Sequence, residues 1–152
     1  MKIKIEISED DNEEIVIRCR ERDSRIIEIE RSLGNILKGS GEMALFCAGT
    51  EFYVSKRDIL FFESEGDKII ARTVERKYYT DYKLFELEDI MPSYFVRISK
   101  STIVNVKAIS SLRREVTGVG EISLKNCDRC VYFSRGYYRK LRDKINEVRF
   151  GK

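Results

Sequence analysis

Two residue clusters in this 152-residue chain carry chemistry suited to an anion. The first is Arg97, Ser99, Lys100 and Ser101, set inside Phe95-Val96-Arg97-Ile98-Ser99-Lys100-Ser101-Thr102-Ile103-Val104-Asn105. Val96 and Ile98 alternate with polar neighbours, a polar run interrupts, and Ile103 and Val104 resume. The stretch therefore reads as two short strands broken by a polar knuckle. Hydroxyl and ammonium donors held at such a tip match phosphate oxygens. The second cluster is Ser134-Arg135, in Val131-Tyr132-Phe133-Ser134-Arg135-Gly136-Tyr137-Tyr138-Arg139-Lys140. A strand ends there and a helical pattern begins, so Ser134 is expected to cap the helix with Arg135 in its first turn.

A third candidate, Cys127-Asp128-Arg129-Cys130, is a C-x-x-C that invites a zinc or redox reading. Zinc needs two further ligands, the chain has no histidine, and the other cysteines, Cys19 and Cys47, do not form a second pair of that spacing. Lying between Glu121-Ile122-Ser123-Leu124 and Val131-Tyr132-Phe133, it reads as a hairpin turn with free thiols. The absence of histidine also removes a Ser-His-Asp triad and a histidine general base. No phosphate-binding glycine loop is present, and the carboxylates are interspersed with lysines and arginines as on a solvated surface. No enzyme, cofactor or small-molecule substrate is expected.

The net charge of +3 is unevenly spread. Residues 1–36 hold seven Lys/Arg against ten Asp/Glu, residues 37–95 eight against eleven, and residues 96–152 fourteen against five. The basic final third contains both clusters, as expected of a face that meets a polyanion. Six of its cations fall in 135–149, where a lysine- and arginine-rich helix explains part of the excess. From these features alone the polyanion can be duplex DNA, or RNA or another single strand stacked on some of the eight Tyr and eight Phe. An acidic protein partner is the other reading.

The elements that must position these residues follow from periodicity. Ile3 to Ile7 and Glu14 to Cys19 read as strands, and a helical pattern runs from Asp23 or Ser24 to the stop signal Gly34-Asn35, giving a β-β-α extension over 1–36. Residues 37–42 read as a linker because Gly39, Ser40 and Gly41 cluster there. Strand periodicity then dominates from 43 to 133. Glu65-Gly66-Asp67-Lys68 is a hairpin turn, Lys83 to Met91 a short helix ended by Pro92, and residues 135–148 a helix. The total is about ten short strands and three helices, a mainly β (α+β overall) antiparallel protein with a tail at 149–152. No run is long and apolar enough for a bilayer, so the cytoplasm is the expected compartment.

The knuckle "FVRISKSTIVN", followed by "EISLKN" and then "VYFSRGYYRKLRDKI", resembles the LytTR family of bacterial DNA-binding domains over about residues 43 to 148. The resemblance implies an elongated assembly of small antiparallel sheets that offers loops, rather than a helix, to successive major grooves of duplex DNA. The first 36 residues are too short for a phospho-receiver domain, so the likeness is to compact regulators with a small extension. Carried over by motif, base contacts fall to Arg135, to Lys100 (where better-known members place asparagine) and to Lys68 in the Gly66-Asp67-Lys68 hairpin. Arg97, Ser99, Ser101, Ser134 and Arg139 are expected to hold or position the phosphate backbone. The implied protein is a transcriptional regulator, dimeric on DNA, with a membrane protein as a conceivable controlling partner.

Overall fold

A computed structural model describes residues 2–7, 15–37 and 41–151, without the side chains of residues 34, 35 and 37. The backbone divides into two units, Met1–Gly34 and Asn35–Lys152.

In the first unit, residues 2–7 and 15–20 belong to no strand. The two expected strands are therefore absent among the described residues; Glu14, the first residue of the second, lies outside them. Alternation creates an amphipathic ribbon, but a ribbon becomes a strand only when a ladder partner takes its N–H and C=O groups. The expected helix does form, as α1 (Ser24–Leu37). Its start is set by Asp23, whose Oδ1 accepts the Ile26 N–H at 3.0 Å, and Arg22 reaches down one face to Glu30 at 2.7 Å. Gly34-Asn35 does not stop it. Of the expected linker, residues 38–40 lie outside the described residues, and Glu42 already belongs to the next strand.

The second unit contains ten strands. They are β1 (Glu42–Cys47), β2 (Thr50–Ser55), β3 (Ile59–Glu65), β4 (Lys68–Thr73), β5 (Lys77–Thr80), β6 (Phe95–Ser99), β7 (Thr102–Asn105), β8 (Ile109–Arg114), β9 (Gly120–Leu124) and β10 (Cys130–Phe133). Helix α2 (Leu84–Ile90) precedes β6, and α3 (Tyr138–Phe150) follows β10. Seven strands form one antiparallel sheet in the order β2-β1-β5-β4-β3-β7-β6, and three form a second in the order β10-β9-β8.

The seven-stranded sheet is covered on both faces, which is why Ile59-Leu60-Phe61-Phe62 is apolar without alternation. Phe61, Ile70, Val96 and Val104 face a core shared with Ile122, Val131 and Phe133 of the small sheet and with Leu141 and Ile145 of α3. Phe62, Ala71, Phe95 and Ile103 face a second core closed by Leu84, Leu87 and Met91. Helix α2 thus lies on a face of the large sheet. Its apolar spacing serves a broad surface because three side chains land on Phe62, Phe95 and Ile103. Helix α3 begins at Tyr138, three residues later than expected, because a 3-10 turn (Arg135–Tyr137) intervenes. It also continues to Phe150, where Arg149 Nη1 donates to the Ile109 carbonyl at 2.6 Å, so residues 149 and 150 are not a tail.

Asn105, the last residue of the knuckle motif, is 2% exposed. Its Nδ2 donates to the Ile59 carbonyl at 3.0 Å, and its Oδ1 accepts the Lys107 N–H at 2.9 Å. One side chain therefore ties the end of β7 to the start of β3 and caps the following 3-10 turn (Val106–Ala108). Asn105→Ala is expected to lower stability by about 1–3 kcal/mol, because it strands the buried Ile59 carbonyl and removes the cap of the Lys107 N–H. The midpoint of urea unfolding measures this; an unchanged midpoint would remove the bond from the account of the fold.

Candidate nucleic-acid interface

Chain direction brings the proposed tips to one end of the large sheet. Strand β7 pairs antiparallel with both β3 and β6, so β3 and β6 run the same way and finish together, at the 65–68 hairpin and at the knuckle. The Ser64 N–H donates to the Ser101 carbonyl at 2.9 Å and locks these two tips side by side. The third tip is joined through a bulge. The β6–β7 register passes from Arg97↔Ile103 to Ser99↔Thr102, skipping Ile98. The Ile98 carbonyl accepts instead from the Ser134 N–H at 2.9 Å, where β10 hands over to the 3-10 turn. Hairpin, knuckle and strand-to-helix step are thus stitched in series by two backbone bonds.

The knuckle itself is rigid because its carbonyls are spoken for. Arg97 Nε donates to the Ser99 carbonyl at 2.9 Å, and Nη2 to the Lys100 carbonyl at 2.5 Å. Its Nη1 meets Glu88 Oε2 of α2 at 3.1 Å. The Ser99 hydroxyl accepts the Ser101 N–H at 3.2 Å, and Ser99 is 9% exposed. The Arg97 and Ser99 side chains thus brace the loop, and Arg97 also lines the open groove beside Lys100. Glu88 also lies 3.7 Å from Lys140 of α3, so one carboxylate joins α2, the knuckle and the final helix. Sequence reading missed Glu88, since an acid within a polar helix face has no local mark of what it meets.

Lys100, Arg135 and Arg139 are exposed, and their cationic heads make no ion pair or hydrogen bond among the described residues. Ser101 is also exposed, while Ser134 is half-buried. The Ser134 side chain makes no capping bond, contrary to expectation; its carbonyl accepts the Tyr137 N–H at 3.0 Å and starts the 3-10 turn instead. Lys68 is exposed but folds back, with Nζ 5.2 Å from the centre of the Tyr79 ring. It shares an open groove with Asp67, Arg97 and Lys100. Beside it, hydrogen bonding to Glu65 holds the Lys77 ammonium above its ordinary pKa.

Arg135 rests on a residue that the sequence did not single out. Gly118, in the turn between β8 and β9, has φ +91°, and a Cβ there would stand 2.8 Å from Cγ and 3.1 Å from Cδ of Arg135. The bare backbone of this glycine is the shelf on which the arginine stem lies. Behind it, Arg114 stacks its guanidinium 4.0 Å from the centre of the Tyr138 ring. The C-x-x-C lies in the β9–β10 hairpin, as expected. There a hydrogen bond to Glu121 pushes the Cys130 thiol up, which favours the unreactive protonated form.

The sequence model of the LytTr DNA-binding domain matches residues 49–146. The chain belongs to the LytTR DNA-binding domain family. This is a family of DNA-binding domains, not of enzymes. The LytTR fold is also seen in the LytTr DNA-binding domain of a Bacillus cereus protein described as a methyl-accepting/DNA response regulator. That domain superposes with a TM-score of 0.65 at 23% identity, covering 69% of this chain and 96% of the other. Among curated relatives, an uncharacterized HTH-type transcriptional regulator of Staphylococcus aureus strain NCTC 8325 is 31% identical over 93 residues, or 61% of this chain and 63% of the relative. Its counterpart in the bovine strain RF122 is 33% identical over 89 residues, 59% of this chain and 60% of the relative. The chain thus spans about six-tenths of the length of the curated relatives it matches. No helix among the described residues is long and apolar enough to cross a membrane.

Two substitutions separate positioning from contact at this LytTR site. A phosphate contact tolerates lysine for arginine, but a planar fork that bridges carbonyls and a carboxylate does not. Arg97→Lys is expected to weaken duplex binding as much as Arg97→Ala, on the order of tenfold, and to speed hydrogen exchange at the Lys100 and Ser101 amides. Binding by Arg97→Lys at the original strength would return Arg97 to the phosphate contacts. Gly118→Ala is expected to cost about 1–2 kcal/mol of stability from its left-handed backbone. It should also displace the Arg135 stem, seen as reduced binding to a preferred duplex with little change on random duplex; equal losses on both would deny the shelf its part.

Proposed function

We propose that this LytTR protein is a sequence-specific, double-stranded DNA-binding transcriptional regulator, acting in the cytoplasm and binding repeated sites as a homodimer. Loops do the reading. Among the described residues no two helices follow one another directly along the chain, so a helix-turn-helix is not the reading element. Arg135 and Lys100 enter successive major grooves and contact base edges, with Lys68 beside Lys100 as an auxiliary cation. Arginine suits the first role because its fork bonds guanine O6 and N7 together. Ser101, Ser134 and Arg139 meet phosphates, while Arg97 and Ser99 keep the knuckle in shape.

The observation that supports this reading best is the contrast among neighbouring cations. Arg97 is bonded to Ser99, Lys100 and Glu88, whereas Lys100 and Arg135, on tips joined through the Ser134–Ile98 bond, are exposed with no partner among the described residues. Exposed cationic heads on hydrogen-bonded loops are free to meet an incoming anion. The strongly basic final third supplies the long-range attraction.

Gel-shift titration against DNA upstream of its own coding region, at two salt concentrations, tests the proposal. Binding to a defined fragment that weakens steeply with salt is expected. Arg135→Ala should weaken that fragment by about ten- to a hundredfold, corresponding to 1–3 kcal/mol of base discrimination, and random duplex far less. Preference for single-stranded over double-stranded oligonucleotides, or no binding to any upstream fragment, would overturn it.

A further inference from the structure

We propose that the chain self-associates by antiparallel pairing of the segment around Ile5 with the same segment of a second copy. The proposal deepens the homodimer reading above but uses none of the residues assigned to DNA, and its test contains no DNA. Ile3, Ile5 and Ile7 are 92%, 83% and 96% exposed, and residues 2–7 belong to no strand. In an extended run, isoleucines at every second position share one side; such an unladdered apolar edge is stabilised when another strand covers it.

The charges say which strand fits. Lys4 and Glu6 flank Ile5 on the opposite side of the ribbon from the isoleucines. In antiparallel pairing centred on Ile5, Lys4 stands opposite the partner's Glu6, Glu6 opposite the partner's Lys4, and Ile3 opposite the partner's Ile7. The segment is thus its own complement under a two-fold axis, as an isologous contact requires. At present Lys4 Nζ meets Glu6 Oε1 of its own chain at 2.6 Å, with side chains 81% and 75% exposed. A bridge so open to water is easily exchanged for one to a partner.

A second run repeats the symmetry. Ile15, Val16 and Ile17 are 56%, 60% and 37% exposed, and also lie outside any strand. Centred on Val16, antiparallel pairing sets Ile15 opposite the partner's Ile17. Two self-complementary runs allow a ribbon of more than two strands, which an isolated pair needs for stability.

Sedimentation velocity on the full chain tests this. The unaltered protein should sediment as a dimer. Lys4→Glu and Glu6→Lys should each place like charges opposite one another at two positions and weaken association roughly tenfold or more. An equimolar mixture of the two variants should regain the dimer, because every pair across the two-fold becomes opposite in charge. The mixture also shows that both variants remain folded, and an intrachain Lys4–Glu6 bridge cannot produce that recovery. A monomeric unaltered protein, single variants that stay dimeric, or a mixture that stays monomeric would each overturn the proposal.

Discussion

The site depends on one displaced carbonyl. The bulge at Ile98 takes that residue out of the β6–β7 ladder and leaves its C=O for the Ser134 N–H at 2.9 Å. A regular β6 would spend that oxygen on its own hairpin. The strand-to-helix step would then have only side-chain packing to hold it against the large sheet. Because buried or half-buried backbone groups must be paired, the bulge both frees an acceptor and fixes what fills it. Register in one sheet thereby decides where Arg135, a residue of another element, begins.

Around that bond the polar residues divide their labour. Arg97 gives its guanidinium to two carbonyls and Glu88, and Ser99 turns its hydroxyl to the Ser101 amide. Charge-assisted bonds of this kind are stronger than neutral ones, and they are spent on rigidity. Among the described residues the heads of Lys100 and Arg135 have no partner, and Gly118 supports the Arg135 stem. Rigid backbone beneath uncommitted charge is the arrangement that lets an incoming anion be bound at little cost in ordering.

The two cores explain why this arrangement is not soft. The large sheet is packed by α2 on one face and by the small sheet with α3 on the other. Phe61 and Phe62, adjacent in sequence, anchor opposite cores from one strand and are both 0% exposed. The loops therefore rise from strands that cannot tilt without disturbing two interiors at once. Glu88 adds a polar cross-link over the same junction, between Arg97 and Lys140.

By itself the sequence determined the mainly β character, the 65–68 hairpin, the knuckle, the strand ending at Phe133 and the basic final third, since alternation, turn residues and charge are local properties. It also carried the family, through motifs whose residues are contiguous. It read strands at residues 3–7 and 15–19 where none is seen among the described residues, because a two-residue period reports amphipathicity and not the presence of a ladder partner. It took Ser134 for a side-chain cap, and it did not foresee the bonds by which Arg97 and Ser99 brace the knuckle, because a residue type states which bonds are possible and not which acceptor is nearest. Tertiary structure alone decided the bulge at Ile98, the Arg97–Glu88 pair, the placement of α2 on a face and the shelf at Gly118. Each joins residues distant along the chain, and only the folded backbone sets their separation.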